Sequence, residues 1–510
     1  MLFHSFEFIG LFLPLTLAGY ILLRRQTGQR YLYVWLSVAS ILFYAWWDYR
    51  LSWLIVASIL VNYTIGKKLN QRPPEKRRKL LVLGILANLT PLFYYKYSLF
   101  FLENFLRVTG NPMEFEQLIL PLGISFFTFQ QITYIMDAYK GEAPDYSFFH
   151  YATFVTFFPQ LIAGPIVHHK EMMPQFDSKS KTFPHLSENL IIGLGIFSIG
   201  LFKKVIIADS LATVASPIYQ QAEIGEILFF EGWFAALGYT FQLYFDFSGY
   251  SDMAIGLARM FGIVLPANFY SPYKARSIID FWRRWHLTLS RFLKDYVYIP
   301  LGGNRRSKIR NYANLMGTML IGGLWHGAGW TFIFWGFLHG IYLTINHFWR
   351  TYFTATQKTR GWLYAGTSWM LTFLAVVIGW VFFRAESFGT AMAILKGMFL
   401  FNGIEIPKAL CPALVSELSW ITISEQSVVS FIETVIWVVF GGLIAWFAPN
   451  TLSLFEKYNP VLQPTGFAKD SAPFRFQPSF WWVFFITVLL YTSLLEIRQN
   501  ENTEFLYFNF

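Results

Sequence analysis

The sequence predicts an all-α polytopic integral membrane protein with roughly ten to thirteen spans. Of its 510 residues, 55% are hydrophobic, 20% are aromatic and only 14% are charged, and the mean hydropathy is +0.41. Apolar segments long enough to cross a bilayer recur along the chain, and charged residues are concentrated between them. This composition excludes a soluble enzyme.

The first apolar segments, at 6–23, 31–47, 51–66 and 80–97, alternate with basic loops. Three arginines follow the first segment, and seven lysines and arginines follow the third. Because basic loops remain in the cytoplasm, both loops are predicted to be cytoplasmic and the N-terminus to lie outside.

The next apolar segments are shorter, and several contain proline or glycine; they lie at 99–108, 118–136, 151–166 and 190–207. Irregular backbone is tolerated at membrane depth only where it is buried in protein or lines a cavity. We therefore expect re-entrant segments around a central funnel. Regular spans are predicted again at 228–244, 330–349, 369–383, 428–447 and 481–495.

The basic residues are concentrated between 263 and 312. This stretch contains ten lysines and arginines and two aspartates, so its net charge is +8, compared with +10 for the whole chain. As a single helix, 279–294 would place the apolar side chains from Phe281 to Phe292 on one face and the cations opposite, with His286 at the border. Such a segment is either an interfacial amphipathic helix or an anion-binding site, and the first interpretation explains the charges but not His286.

Three ionisable side chains stand in otherwise apolar runs. His326 is surrounded by glycines, and an ionisable residue at membrane depth is a functional candidate by default. A neutral core histidine is the alternative for His326, and it is the favoured interpretation of His339. Asp246 requires a cationic or hydrogen-bonding partner; the arginines of the following loop are nearest in sequence, and a structural role is favoured over catalysis.

A disulfide, a metal site and a nucleic-acid partner are not expected. The chain has one cysteine, Cys411, which allows no internal disulfide and no thiolate cluster. The histidines lack close carboxylate neighbours in sequence, so no metal is predicted.

Segments 281–305 (FWRRWHLTLSRFLKDYVYIPLGGNR) and 323–340 (GLWHGAGWTFIFWGFLHG) resemble the membrane-bound O-acyltransferase family. The similarity is to the bacterial branch that includes the alginate O-acetylation and teichoic-acid D-alanylation membrane proteins, and 120–141, 157–167 and 244–256 also carry it. The region after 350 resembles the alginate-type members. We therefore expect one membrane-embedded domain, 1–510, with a family-type core at about 80–350 and additional C-terminal spans at 351–510.

The resemblance implies that His326 is the catalytic histidine and that His286 faces it. Chemically, His326 is a candidate general base for the acceptor hydroxyl, and His286 would orient the donor carbonyl or stabilise its charge. Trp325 is a candidate lining residue. Candidate donor-binding cations are Arg283, Arg284, Lys294, Arg305 and Arg306.

The resemblance also implies acetyl transfer for O-acetylation of an extracytoplasmic polysaccharide, in the bacterial cytoplasmic membrane. The donor would be cytoplasmic acetyl-CoA or another acyl thioester, used as a substrate, with no permanently bound cofactor. Membrane lipids and an extracytoplasmic serine-esterase-like acetyltransferase are the implied partners. Two alternatives remain: a lipid-modifying acyltransferase of the same family, and a secondary transporter, for which repeat symmetry is expected but not seen.

Overall fold

A computed structural model describes the chain except for residues 27–28, 112, 114, 117, 163, 177–185, 306, 354–360, 408–420, 425–427, 463–473, 500–505 and 507–510. The fold divides into two compact units, each assembled from segments that are distant in sequence. The first comprises Met1–Leu201, Tyr250–Ala267 and Thr451–Asn509, and the second comprises Phe202–Gly249 and Asn268–Asn450. The interpretation of 1–510 as one domain with a core at 80–350 stays a prediction.

The α-helices, in chain order, are α1 (Leu13–Gln26), α2 (Gln29–Ala45), α3 (Ser52–Gln71), α4 (Arg78–Leu92), α5 (Ser98–Val108), α6 (Ile124–Lys140), α7 (Phe148–Thr156), α8 (Phe158–Leu161), α9 (His169–Phe176), α10 (Leu186–Phe202), α11 (Asp209–Ile224), α12 (Phe229–Met260), α13 (Ile278–Trp282), α14 (Leu287–Leu293), α15 (Lys308–His326), α16 (Trp330–Tyr352), α17 (Trp362–Arg384), α18 (Phe388–Met398), α19 (Val428–Phe447), α20 (Thr451–Leu454) and α21 (Phe480–Gln499). Short π-helical segments lie at Phe8–Phe12, Phe93–Tyr97, Lys203–Ala208 and Lys294–Tyr298.

Several helices have the length and composition of membrane spans. Within the described residues there are five, at Arg78–Val108, Leu186–Ile224, Trp362–Arg384, Val428–Phe447 and Phe480–Gln499, and shorter apolar helices lie at Phe8–Arg24 and Arg30–Ala45. About 20 helical residues cover the hydrocarbon thickness of a bilayer. The helical membrane class is therefore confirmed, whereas the count of ten to thirteen spans stays a prediction.

The part of the chain predicted to contain broken segments forms short helices. Helices α7, α8 and α9 have 9, 4 and 8 residues, too few for any of them to cross a bilayer alone. Their lengths agree with the expected irregular architecture, and the central funnel stays a prediction.

One element departs from the all-α prediction. Strands β1 (Ile404–Pro407) and β2 (Ile421–Ser424) pair in parallel, with Ile404 opposite Ile421. They lie in the stretch after α18, where the sequence shows no long apolar run. Alternation of isoleucine with polar residues over four positions is too short a signal to separate a strand from a loop.

Helices α15 and α16 form a closely packed antiparallel hairpin. A Cβ atom on Gly323 would collide with the carbonyl oxygen of Phe332, and one on Gly336 would collide with that of Met319. Small residues allow two helix backbones to approach this closely. At the open end of the hairpin, Lys308 Nζ donates to Tyr352 Oη at 3.4 Å, and at its closed end α15 terminates in His326.

Candidate active site

His286 lies in a break between two helices. The prediction of one continuous helix over 279–294 is wrong, because α13 ends at Trp282 and α14 begins at Leu287. His286 has φ +42° and ψ 56°, the left-handed region that costs a non-glycine residue about 1–2 kcal/mol. The predicted apolar face is nevertheless buried: Phe281, Trp285, Leu289 and Phe292 are all in the core.

Tertiary hydrogen bonds stabilise this break. The backbone N–H of Leu287 donates to the carbonyl of Asn268 at 2.9 Å, and the N–H of Tyr270 donates to the carbonyl of Arg284 at 2.9 Å. Residues 268–270 therefore bond to both sides of the turn. These contacts offset the local strain at His286, and residues held in such conformations are concentrated at functional sites.

The side chain of Asn268 also orients the His286 ring. His286 Nδ1 lies 2.9 Å from Asn268 Oδ1, which additionally accepts from Thr288 Oγ1 at 3.0 Å. Because an amide oxygen only accepts, the Nδ1 atom carries the proton, and the lone pair of the neutral ring is on Nε2. Phe247 packs perpendicular to the imidazole at 4.8 Å, so the buried ring is held on several sides.

His326 is the last residue of α15 and is buried. Its ring packs against Trp335 of α16 at 5.0 Å and against Phe383 of α17 at 5.1 Å, nearly perpendicular to both. Three consecutive helices, α15, α16 and α17, thus converge on this imidazole. Gly323, three residues before it, allows the close packing of α15 on α16.

One indole joins the two histidines. Trp325 contacts His286 with ring centroids 6.0 Å apart and contacts His326 at 4.8 Å. The two imidazoles, forty residues apart in sequence, are therefore neighbours across a single aromatic side chain. The arrangement provides two titratable groups in a surrounding that is almost entirely aromatic.

The model of the membrane-bound O-acyltransferase family matches residues 122–385, which is more than half of the chain. The chain belongs to the membrane-bound O-acyltransferase family. Both histidines and the whole of α13 to α17, including Phe383, lie inside the matched region.

Relatives in this family support the same assignment. A peptidoglycan O-acetyltransferase of Helicobacter pylori is 47% identical over 80% of this chain and 81% of its own length. A probable alginate O-acetylase of Pseudomonas putida is 37% identical, and the similarity covers both chains completely. A teichoic acid D-alanyltransferase of Bacillus subtilis is 28% identical over 63% of this chain and 77% of its own. The predicted enzyme class, an O-acyltransferase integral to the membrane, is confirmed.

His339 has the environment of a structural histidine in this acyltransferase. It is fully buried, its Nδ1 accepts from Trp282 Nε1 at 3.2 Å, and its ring lies 4.8 Å from Trp335. A Cβ on Gly379 would lie 3.0 Å from its Nε2. His339 thus connects α13, α16 and α17 behind His326.

Among the described residues, no group of three His, Cys, Asp or Glu side chains could hold a metal ion.

The candidate donor-binding cations differ in their surroundings. Arg283, Lys294 and Arg305 are exposed, whereas Arg284 is half-buried and its Nε donates to Asp280 Oδ1 at 2.9 Å. Arg306 lies outside the described residues. Arg284 is thus bound to a carboxylate of its own segment, while the other three described cations face outward.

Asp246 has a partner that the sequence did not indicate. The expected arginine from the following loop is replaced by Lys204, whose Nζ lies 2.9 Å from Asp246 Oδ1 and 2.6 Å from Asp209 Oδ1. Lys204 lies in the π-helical segment Lys203–Ala208, forty-two residues before Asp246. Lys204 and Asp246 are buried and Asp209 is partly exposed. The triad ties α12 to the start of α11, and Asp246 is followed in α12 by Phe247, which packs on His286.

Sequence analysis missed the residues that support the two histidines. Asn268, Thr288, Phe247 and Phe383 are unremarkable in sequence, because each is an ordinary polar or aromatic residue in an apolar surrounding. For Asn268 one signal exists: it is a lone amide in the apolar run LPANFY, and a buried amide requires partners.

Proposed function

We propose that this protein moves an acetyl group from a cytoplasmic acyl thioester across the membrane for O-acetylation of an extracytoplasmic polysaccharide. The observation that carries the proposal is the pair of buried histidines that contact one indole, Trp325, inside the family-matched region. A histidine has the ordinary pKa best suited to accept and return a proton near neutral pH.

The names of the relatives support a glycan acceptor. Two of them are named for O-acetylation of peptidoglycan and of alginate, and both names describe ester formation on a sugar hydroxyl. The teichoic acid relative is named for transfer of another acyl group to another envelope polymer. We therefore favour a polysaccharide acceptor over a lipid one.

In the proposed reaction, His326 accepts the proton of the acceptor hydroxyl as the oxygen attacks the acetyl carbonyl carbon. A carbon–oxygen bond forms, the carbon–sulfur bond of the thioester breaks, and the proton passes from His326 to the departing thiolate. The aromatic walls formed by Trp335 and Phe383 exclude water, which would otherwise hydrolyse the thioester.

In the same reaction, His286 is proposed to interact with the carbonyl group of the acyl donor. Asn268 Oδ1 accepts the Nδ1 proton in both the neutral ring and the imidazolium, so His286 can gain a proton at Nε2 without turning. The protonated ring would then stabilise negative charge on the carbonyl oxygen as it develops. The left-handed backbone and Phe247 fix the ring in one orientation for this role.

The remaining assignments concern the two sides of the membrane. Exposed Arg283, Lys294 and Arg305, together with Arg306, would hold the phosphates of acetyl-CoA, or the acidic surface of a carrier that bears another thioester, on the cytoplasmic side. The donor is a substrate, not a permanently bound cofactor.

A serine-esterase-like acetyltransferase outside would receive the acetyl group. The protein would reside in the bacterial cytoplasmic membrane, with its N-terminus outside.

Inverted membrane vesicles provide the test, because their outer surface is the cytoplasmic face. Isotope-labelled acetyl-CoA supplied to the vesicles should yield base-labile label on glycan or partner protein in the lumen. Vesicles carrying His326→Ala at equal protein content should yield at most about 1% of it. Equal labelling by wild type and His326→Ala would contradict the catalytic assignment, and lumenal free acetate without ester would indicate transport instead.

A further inference from the structure

A cavity of about 910 Å³ opens between the ends of α16 and α17 in the second unit. Its walls come from the last turns of α16, which include Asn346 and Arg350, from the first turns of α17, and from the turn at Arg276–Ile278 that precedes α13. Its volume matches that of a ligand pocket and greatly exceeds that of a bare phosphate. The cavity lies at the α16 end that is remote from His326, near the start of α15.

The polar part of this cavity is cationic. Arg276 and Arg350 line it, and Arg276 also lines an adjoining cavity of about 650 Å³ together with Lys274. None of the described residues that line either cavity is acidic. Arg276 and Arg350 thus bring two guanidinium groups to one cavity, and a guanidinium group can bind a phosphodiester bidentately.

The other wall is apolar and exposed. Ile345 of α16 is 58% exposed and Leu371 of α17 is 63% exposed, and both line the cavity. Helix α17 is one of the candidate membrane spans. Trp349, which also lines the cavity and is 46% exposed, is the residue type that occupies the headgroup level of a bilayer.

We propose that this cavity binds one anionic phospholipid, with its phosphate on Arg276 and Arg350 and an acyl chain along Ile345 and Leu371. A pocket with a cationic end and an exposed apolar wall that includes a candidate membrane span fits an anionic amphiphile better than a water-soluble anion. Nothing in this inference depends on the catalytic assignment of the histidines.

A bound lipid would contact the segment that positions the aromatic site. Ser277, a lining residue, caps α13 by accepting from the N–H of Asp280 at 3.1 Å. Asn346, also in the lining, accepts from the N–H of Ile279 at 3.4 Å. Helix α13 carries Trp282, which donates to His339. Lipid in the cavity therefore stabilises the start of a helix on which the packing behind His326 depends.

The test compares lipids on the full-length protein purified in detergent and stripped of lipid. Phosphatidylglycerol added in mixed micelles should raise the midpoint of thermal unfolding, whereas phosphatidylcholine and inorganic phosphate should each leave it nearly unchanged. Native mass spectrometry should show one retained phosphatidylglycerol. An equal shift with inorganic phosphate or with phosphatidylcholine would overturn the assignment to an anionic lipid.

Variants locate the site. Arg276→Gln with Arg350→Gln should weaken phosphatidylglycerol binding about tenfold or more, as expected for the loss of charge-assisted hydrogen bonds. The control, Lys67→Gln with Lys68→Gln, removes two exposed cations elsewhere and should bind as wild type does. Thr367→Trp, which fills the cavity and keeps its charges, should also abolish binding. Undiminished binding by the arginine variant or by Thr367→Trp, or an equal loss in the control, would refute the site.

Discussion

Asn268 determines what His286 can do chemically. Its side-chain oxygen lies within hydrogen-bonding distance of both His286 Nδ1 and Thr288 Oγ1, and its backbone carbonyl accepts the N–H of Leu287. One buried amide thus sets both the ring tautomer and the backbone of the turn. A positioning residue of this kind affects the reaction through the histidine without touching the substrate.

Asn268→Ala should lower the turnover per folded molecule by about tenfold to a hundredfold, because the buried His286 Nδ1–H loses its acceptor. The measurement is glycan ester content normalised to folded protein in the membrane. Asn268→Asp keeps an acceptor oxygen and should retain most of the activity. Thr288→Val is the matched control, since it removes only the second donor to the same oxygen. Equal activity of Asn268→Ala and wild type would show that the contact is dispensable.

The two histidines should behave as one catalytic unit. His326→Ala should reduce acetylation by about 10²- to 10⁴-fold, the usual effect of losing a general base, and His286→Ala should reduce it by a similar or smaller factor. The double variant should be little worse than His326→Ala alone, because residues that act on one step are not additive. Multiplicative losses in the double variant would assign the histidines to separate steps.

His339→Ala should lower stability more than activity. The substitution removes the partner of Trp282 and leaves space beside Trp335, at a typical cost of about 2–4 kcal/mol. Thermal unfolding in detergent should register the loss, while turnover per folded molecule remains close to that of wild type. A catalytic defect at full stability would instead place His339 in the reaction.

At the scale of elements, the α15–α16 hairpin depends on two glycines. Gly336→Ala should lower the unfolding midpoint, because the added Cβ collides with the Met319 carbonyl oxygen, which cannot move without displacing α15. Gly317→Ala is the matched control: it lies in α15, and its Cβ would meet no atom within 4 Å. Since alanine favours a helix over glycine by about 1 kcal/mol, this control should be neutral or stabilising. Equal destabilisation by both changes would contradict the packing explanation.

The Lys204 triad is the second element-scale feature. Lys204→Met should destabilise the protein by about 3–5 kcal/mol, because it leaves Asp246 charged and buried beside Asp209. Lys204→Met combined with Asp246→Leu should recover much of that loss. Lys203→Met, one residue earlier, serves as the control. If the single and double variants unfold alike, the ion pair does not hold α12 in place.

At the scale of the whole molecule, orientation in the membrane is testable. With Cys411 replaced by serine, a cysteine at position 305 should react with an impermeant thiol reagent only from the cytoplasmic side, and one at 417 only from outside. Position 417 lies outside the described residues. Labelling of position 305 in intact cells would show that the true orientation is the opposite one. The proposed donor-binding residues would then lie on the outer side of the membrane.

The predictions that succeeded rest on local or averaged properties. Hydropathy over about 20 residues identified the helical spans at α17, α19 and α21, because membrane burial is decided by the mean polarity of a segment. The burial of Phe281 and Trp285 followed from periodicity alone. The predictions that failed, the unbroken helix at 279–294 and the arginine partner for Asp246, required knowledge of residues distant in sequence.

The membrane class and the family follow from the amino-acid sequence, because composition and long uninterrupted motifs are sufficient to identify them; the same motifs make His286 and His326 candidate site residues. The contact of Trp325 with both His286 and His326, the control of the His286 tautomer by Asn268, and the ion pair of Lys204 with Asp246 became apparent from the packing of the helices. The physical reason is that buried polar groups take whichever partner the packing provides within about 3 Å, regardless of separation along the chain. That choice is made when the helices associate, and at the break between α13 and α14 it also decides where a helix ends.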